Sequence, residues 1–89
     1  MPIVVQFRVE SMTAAKYDAV MQSAAANTAS PPGRLYHICY GDAANLQVID
    51  VFDSPQSLEA FGKELMPVLQ AAGISAVPAV SPIHNLVKG

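Results

Sequence analysis

The chain has 89 residues, of which 52% are hydrophobic and 13% are charged, and its net charge is −2. One domain of this length buries only about 60–65% of its unfolded surface, so the apolar excess predicts association with a second copy. Five scattered cations form no basic stripe, which argues against nucleic acid as a partner. The sequence shows neither a signal-peptide pattern nor the roughly 20 apolar residues that span a membrane, so we expect a soluble, cytoplasmic homodimer.

Residues 3–9 alternate between apolar and mostly polar side chains, which predicts a first strand with one core-facing side. Val5 and Phe7 lie on that side. Gln6 and Arg8 lie on the other, where they suit an interface or solvent better than contact with an anionic substrate. The strand therefore has a clear inner face.

A helix is predicted next, from the N-cap candidates at residues 11–13 to about Ala26. Tyr17 belongs to its apolar stripe. This tyrosine is either an ordinary core residue or one whose hydroxyl reaches into a ligand cavity. Two prolines and a glycine predict a loop over residues 27–33.

Residues 33–54 contain two alternating apolar runs around a loop rich in turn residues, which is the pattern of a β-hairpin. An even-length loop over residues 42–45 places His37 directly opposite Asp50. A loop of odd length would move Asp50 to the face of Ile38 and mix polar with apolar side chains. Opposite side chains have Cβ atoms about 4.5–5.5 Å apart, so an imidazole and a carboxylate there can form a hydrogen bond.

The last two elements are a helix and a strand. Ser-Pro at residues 54–55 supplies an N-cap and a first helical residue, and Gly73 is the expected stop. Pro67 lies within the helical pattern and predicts a kink or a break into two short helices. Residues 75–89 contain two prolines, which suit an irregular stretch leading into an edge strand, with residues 83–87 as its paired part.

The predicted order β-α-β-β-α-β within one domain of residues 1–89 is the ferredoxin-like arrangement of the α+β class. It has one four-stranded antiparallel sheet with two helices on one face. The opposite face is left uncovered within the chain. Pairing this face with that of a second copy would bury the apolar excess.

Residues 48–61, V-I-D-V-F-D-S-P-Q-S-L-E-A-F, resemble the strand-to-helix junction of antibiotic-biosynthesis-monooxygenase-like members of the dimeric α+β barrel superfamily. Those members often place an aromatic residue, an acidic residue and a serine before the second helix, here Phe52, Asp53 and Ser54. The resemblance implies a homodimeric barrel and a pocket between helices and sheet that Phe52 lines. Monooxygenase and haem-degrading members commonly carry a histidine in or just after that helix. Residues 55–73 have none, so neither haem ligation nor the monooxygenase chemistry of that histidine carries over.

The predicted His37–Asp50 pair is the main candidate site. An aspartate that accepts from one imidazole nitrogen fixes the tautomer and leaves the other nitrogen as a general base. The alternative is a buried polar pair that sets strand register. The pair points either into the pocket, beside Phe7 and Val5, or into the subunit interface. The other side chains predicted on its face are Leu35, Cys39, Val48 and Phe52. Because all of these are apolar, the pocket is favoured.

His84 is the only other histidine, and its place near the end of the chain suits an exposed or interface side chain. A metal site built from His37, His84 and Asp50 would draw on different strands at no diagnostic spacing, so we predict no metal. No phosphate-binding loop or nucleophile elbow occurs in the sequence.

The leading hypothesis is a small enzyme without a cofactor that performs proton-transfer, isomerase or cyclase, or monooxygenase-like chemistry on a small apolar or aromatic molecule. His37 is the expected base and Asp50 its orienting group. The alternative is a non-catalytic homodimer that binds a metabolite or has a stress-related role. The predicted substrate contacts are Phe52, Tyr17, Phe7, Val5 and His84.

Overall fold

The computed structural model of the chain describes residues 1–23 and 30–89 and confirms the predicted α+β fold. The elements in chain order are β1 (Ile3–Glu10), α1 (Ala14–Ser23), β2 (Arg34–Asp42), β3 (Asn45–Phe52), α2 (Pro55–Ala72) and β4 (Ser75–Pro82). The strands form one antiparallel sheet in the order β2-β3-β1-β4, so β3 and β1 are central. The predicted last turn of the first helix, residues 24–26, and residues 27–29 of the predicted loop lie outside the described residues.

The core lies between the sheet and the two helices, which cover the same sheet face. Every second residue of β1 is buried, as its alternation predicted. Burial of one such aliphatic side chain contributes about 1.5–3 kcal/mol. Phe52 at the end of β3 meets Phe61 of α2 with ring centroids 5.4 Å apart, which fixes the helix on the sheet.

The start of α1 is tied to the hairpin between β2 and β3. Thr13 is the N-cap, since its hydroxyl oxygen accepts from the Lys16 amide at 3.2 Å. The Ala14 amide donates to the Ala43 carbonyl in the hairpin turn, and the Leu46 amide donates to the Met12 carbonyl, both at 2.8 Å. These bonds fix where the first turn of α1 lies above the sheet.

The hairpin has the predicted register, with His37 opposite Asp50, Ile38 opposite Ile49 and a two-residue turn. The prediction for Leu35 was wrong. A β-bulge makes Leu35 an extra residue that is 51% exposed, and Arg34 stands opposite Phe52 in its place. A bulge sets two residues of one strand against one of its partner, which reverses the side-chain alternation beyond it.

The second helix begins as predicted. Ser54 accepts from the Ser57 amide at 3.2 Å, and the helix ends at Gly73 with φ 70°. Of the kink or break predicted at Pro67, the break does not occur, because α2 is continuous from Pro55 to Ala72. A proline inside a helix costs about 3 kcal/mol, and the buried Phe61 and Leu69 on its two sides hold both halves of the helix on the core.

The last strand is Ser75–Pro82, so the prediction that residues 83–87 form its paired part was wrong. Pro78 and Pro82 pair with Phe7 and Ile3 at the edge of the sheet. Being four residues apart, both prolines turn their nitrogen atoms to the same side, away from β1. The two amide hydrogens that proline lacks would point to the outer edge of β4, where no further strand pairs.

The sheet face opposite the helices is uncovered within the chain. We call it the outer face and define it by its exposed apolar side chains Tyr36, Ile38, Tyr40 and Val77. In the part of the chain that the structure describes, neither helix has the length and apolar character needed to cross a membrane.

Candidate functional site

The site is built on the middle of the hairpin, where β2 and β3 pair. His37 Nδ1 lies 2.5 Å from Asp50 Oδ1, and Asp50 is only 1% exposed. Both side chains line a cavity under the helices, so the pair faces the pocket and not the outer face. A carboxylate only accepts hydrogen bonds, so Nδ1–H donates to Asp50. In the neutral ring, Nε2 is then the acceptor.

Tyr17 occupies that acceptor. Its hydroxyl oxygen is 2.7 Å from His37 Nε2, and the two rings are within 8° of parallel with centroids 6.1 Å apart. The Tyr17 hydroxyl therefore donates to Nε2. One chain of hydrogen bonds runs from α1 through β2 to the buried carboxylate on β3.

Burial raises the pKa of Tyr17 above its usual 10.0, and the neighbouring Cys39 adds to this effect. The cationic Arg34 acts in the opposite direction on the same pKa. The net result is a phenol that stays protonated at neutral pH. Tyr17 is thus a hydrogen-bond donor in this site and not a standing base.

The cavity beside this chain is small, about 60 Å³, and its walls are almost entirely apolar. An engineered cavity of about 150 Å³ in another protein accepts benzene. A ligand with an aromatic ring must therefore displace side chains of the lining. The apolar lining residues from the sheet, α1 and α2 include Phe7, Val9, Val20, Met21, Val48, Phe61 and Leu65.

Arg34 is the lining residue that the sequence reasoning missed. The bulge turns it to the helix side, where its guanidinium carbon lies 5.8 Å from the centre of the Phe61 ring. Regular alternation from His37 without a bulge would put Arg34 on the outer face. The sequence held one weak signal of the bulge. On the outer face, the charged Arg34 would stand beside the apolar Tyr36 and Ile38.

The structure brings together His37, Asp50, Tyr17 and Phe7. Phe52 and Val5 are both 0% exposed and lie in the core, outside the described lining of this cavity. The Phe61 ring, which does line the cavity, packs on Phe52. Both side chains therefore lie behind the described lining, and their contact with a substrate stays a prediction.

His84 also lies outside the described lining, because β4 ends at Pro82 and leaves His84 exposed beyond the sheet. Within residues 1–23 and 30–89, no three His, Cys, Asp or Glu side chains are grouped closely enough to hold a metal ion.

The chain has the ferredoxin-like α+β fold, as the resemblance implied, and shares it with solved structures of other proteins. SnoaB, a cofactor-independent oxygenase from Streptomyces nogalater, has a TM-score of 0.65 at 18% identity, covering 99% of this chain and 96% of SnoaB. A protein proposed to be an antibiotic biosynthesis monooxygenase from Chloroflexus aurantiacus has a TM-score of 0.62 at 17% identity, with 99% and 98% of the two chains covered.

A third solved structure, of a protein proposed to be a monooxygenase from Shewanella loihica, has a TM-score of 0.57 at 18% identity over 96% of each chain. No protein-family model matches the sequence, and no curated protein matches it either. Likeness at 17–18% identity establishes the fold, while the chemistry has to be argued from the cavity.

Proposed function

We propose that the protein is an enzyme that removes a proton from a small aromatic substrate and needs no bound cofactor. The observation that carries the proposal is the His37–Asp50 pair in a cavity whose walls are mainly apolar. The shared fold with a cofactor-independent oxygenase supports it. Proton transfer suits this set of residues because it requires only a positioned base and a dry pocket.

In this mechanism His37 Nε2 accepts the proton and Asp50 stabilises the imidazolium that forms. Asp50 keeps Nδ1 protonated, so the basic lone pair of the ring is on Nε2, where the Tyr17 hydroxyl binds it. The apolar walls exclude water, which strengthens the interaction between imidazolium and carboxylate. A general base of this kind contributes about 10²–10⁴-fold to the rate.

Tyr17 has to yield its place at Nε2 for this step to occur. The Tyr17 hydroxyl lies 2.7 Å from His37 Nε2 and donates to the lone pair that would accept the proton of the substrate. The cavity of about 60 Å³ also leaves no room for a ring unless side chains move. We propose that the substrate displaces the Tyr17 hydroxyl and presents its acidic C–H or O–H group to Nε2.

The anion formed in this way has two chemical outcomes. Reprotonation at another carbon completes an isomerisation or cyclisation. Alternatively, the anion transfers electrons to dioxygen, and a CH₂ group with O₂ becomes a carbonyl group with one water molecule. Both outcomes begin with the same proton transfer, so the first test addresses that transfer.

The test follows hydrogen–deuterium exchange of 2-tetralone, an aromatic ketone with acidic α-protons, in D₂O by NMR. Wild-type protein is expected to accelerate the exchange over buffer, and His37→Gln is expected to abolish most of the acceleration. The matched control is His84→Gln, which changes the histidine that lies outside the cavity lining. Exchange at the buffer rate with wild-type protein would contradict the proposal.

A second candidate function is non-catalytic binding of a metabolite. The observation that favours it is the small cavity, together with the fact that no buried side-chain polar atom in the described residues lacks a hydrogen-bond partner. In this case Tyr17, His37 and Asp50 serve to hold α1 on the sheet. Their variants would then lose stability, and neither they nor the wild type would accelerate exchange.

We also propose that the protein works as a homodimer joined through the outer face. The exposed fractions of its side chains run from 38% for Tyr36 and Tyr40 to 61% for Val77, which is unusual for neighbouring large apolar groups. The structural neighbours share the fold that presents such a face. Pairing two copies would remove these side chains from water.

A further inference from the structure

We propose that Tyr17 is a one-electron redox site. An oxidant of the organic peroxyl-radical class takes one electron from the Tyr17 ring, and the phenolic proton passes to His37 Nε2 in the same step. The juxtaposition behind the proposal is the hydrogen-bonded row of Tyr17, His37 and Asp50, which joins a phenol to a base and the base to a buried carboxylate. This activity involves no substrate proton and does not depend on the proposed function.

The first step concerns the distance over which the proton moves. The Tyr17 hydroxyl oxygen is 2.7 Å from His37 Nε2, within the range of about 2.6–3.2 Å that proton transfer requires. The other ring nitrogen, Nδ1, holds its own proton against Asp50, so Nε2 carries the basic lone pair. Donor and acceptor are already in contact in the resting protein, and the proton can change partner without a rearrangement of either ring.

The second step concerns the charge left behind. A phenol that loses an electron becomes a strong acid, and an apolar environment opposes the cation that would remain if the proton stayed. His37 removes that cost, because its Nε2 takes the proton and leaves a neutral phenoxyl radical. The imidazolium formed lies against the Asp50 carboxylate, 2.5 Å from Nδ1, where the apolar walls of the cavity strengthen their attraction. Asp50 thus positions the base and stabilises its charged form.

The step balances in atoms and electrons. The O–H bond of Tyr17 breaks, an N–H bond forms at His37 Nε2, and one electron leaves the phenol. The peroxyl radical gains this electron and takes a proton from water, so it is reduced to a hydroperoxide. Tyr17 is oxidised by one electron and the peroxyl radical is reduced by one.

The third step concerns selectivity among the three tyrosines of the chain. Tyr36 and Tyr40 lie on the outer face, on the other side of the sheet from His37. Burial raises the pKa of Tyr17, so its phenol is not ionised in advance and the proton must move as the electron leaves. The sequence contains no tryptophan to which the oxidation could pass. The three phenols can therefore be told apart by substitution.

The test uses a background variant in which Tyr36→Phe, Tyr40→Phe and Cys39→Ala leave Tyr17 as the only phenol and remove the thiol. Hexachloroiridate(IV), a one-electron oxidant, is mixed with this protein in a stopped-flow instrument, and the absorption band of the phenoxyl radical is followed. We expect the radical to form, and a further Tyr17→Phe change to abolish it. The rate should be lower in D₂O than in H₂O, because the O–H bond breaks as the electron leaves.

His37→Gln in the same background keeps a hydrogen-bond acceptor for Tyr17 but not a base, and it should slow radical formation about 100-fold. His84→Gln is the matched control, since this histidine lies outside the described cavity lining, and it should keep the rate. Asp50→Asn serves as a second variant if His37→Gln does not fold. It removes the charge that stabilises the imidazolium and should also slow the reaction.

The proposal is overturned if Tyr17 forms no radical, if the glutamine variants of His37 and His84 react at the same rate, or if the rate is the same in D₂O and H₂O. Peroxyl radicals from a water-soluble azo initiator should consume Tyr17 with the same ranking of variants, and the lack of that ranking would remove this class of oxidant. The 2-tetralone exchange separates the redox site from the proposed function, because Tyr17→Phe abolishes the oxidation and leaves the exchange.

Discussion

At the scale of single residues, the protein depends on one buried carboxylate whose partner comes from the neighbouring strand. Asp50 is 1% exposed, and a carboxylate in that position is tolerated because His37 satisfies it at 2.5 Å. The pairing was predictable because strand side chains alternate with a period of two, and only an even loop keeps polar and apolar faces apart.

Asp50→Leu should destabilise the protein by about 1–3 kcal/mol, because it leaves the Nδ1–H of His37 without an acceptor. The free energy of unfolding in urea measures this. Asp50→Asn is the matched control, since it keeps an acceptor and the side-chain size and should cost less. A Leu variant as stable as the wild type would show that the pair contributes nothing to folding.

Tyr17→Phe should leave the acceleration of 2-tetralone exchange unchanged or raise it, because the hydroxyl that occupies His37 Nε2 is removed. The expected loss of stability is about 0.5–1.5 kcal/mol, the usual contribution of one hydrogen bond. Exchange rates and urea unfolding of the same sample test both statements. A fall of about 100-fold in the exchange rate would instead mean that Tyr17 carries the proton.

Arg34 marks the limit of residue-level reasoning from sequence. Alternation predicts the face of every residue in a regular strand, but one extra residue reverses it. Nothing in the residue types around Leu35 identifies a bulge. Leu35 was therefore assigned to the cavity side, which Arg34 occupies in the structure. The size of the cavity was equally inaccessible, because it depends on rotamers of several elements at once.

At the scale of elements, caps and the edge position of the last strand were predictable, whereas the continuity of the helix at Pro67 and the bounds of that strand were not. Ser54 and Gly73 terminate α2 as expected, because capping depends on local hydrogen bonds and backbone conformation. Pro67 and Pro78 were read as interruptions, yet each lies within a regular element. An edge position, which the sequence indicated, compensates for the amide that Pro78 lacks, whereas the tertiary packing that holds the helix together at Pro67 is not visible in the local sequence.

Gly33 precedes β2 and lies close to the start of α2, so its replacement should destabilise the protein. Its φ is 83°, and an added Cβ would lie 2.3 Å from the Ser57 hydroxyl oxygen at the start of α2. We expect Gly33→Ala to destabilise the protein by about 1–3 kcal/mol through backbone strain and this clash.

The matched control is Gly62→Ala in α2, where an added Cβ meets nothing within 4 Å. This change should stabilise the protein by roughly 0.5–1 kcal/mol, since alanine is the better helix former. Thermal and urea unfolding of both variants measure the difference. Equal effects of the two alanines would mean that Gly33 is not held in the conformation described.

At the scale of the whole molecule, the fold follows from the order of elements and their periodicity, which is why it was predictable throughout. The outer face was predictable for the same reason, since two helices of this length cover one side of a four-stranded sheet. The identity of the ligand does not follow from the order of the elements. It depends on the few side chains around the cavity, and among them the position of Arg34 became known only from the structure.

The homodimer prediction belongs to this scale. Light scattering at micromolar concentration should give twice the mass of the chain, from an interface of at least about 1,000 Å². Ile38→Glu, at an outer-face position that is 52% exposed, should shift the protein to monomers. Met66→Glu, at a 46% exposed position on α2, is the control and should not. A wild-type monomer would contradict the prediction.

The most direct test of the account compares the 2-tetralone exchange rate of wild-type protein with that of a folded His37→Gln variant. Gln keeps the size and hydrogen-bonding capacity of His37 but not its titratable base, so the free energy of unfolding should change by no more than about 1 kcal/mol. The account predicts a fall in the catalysed rate of about 10²–10⁴-fold. An unchanged rate in this variant would contradict it and leave His37 as a structural partner of Asp50.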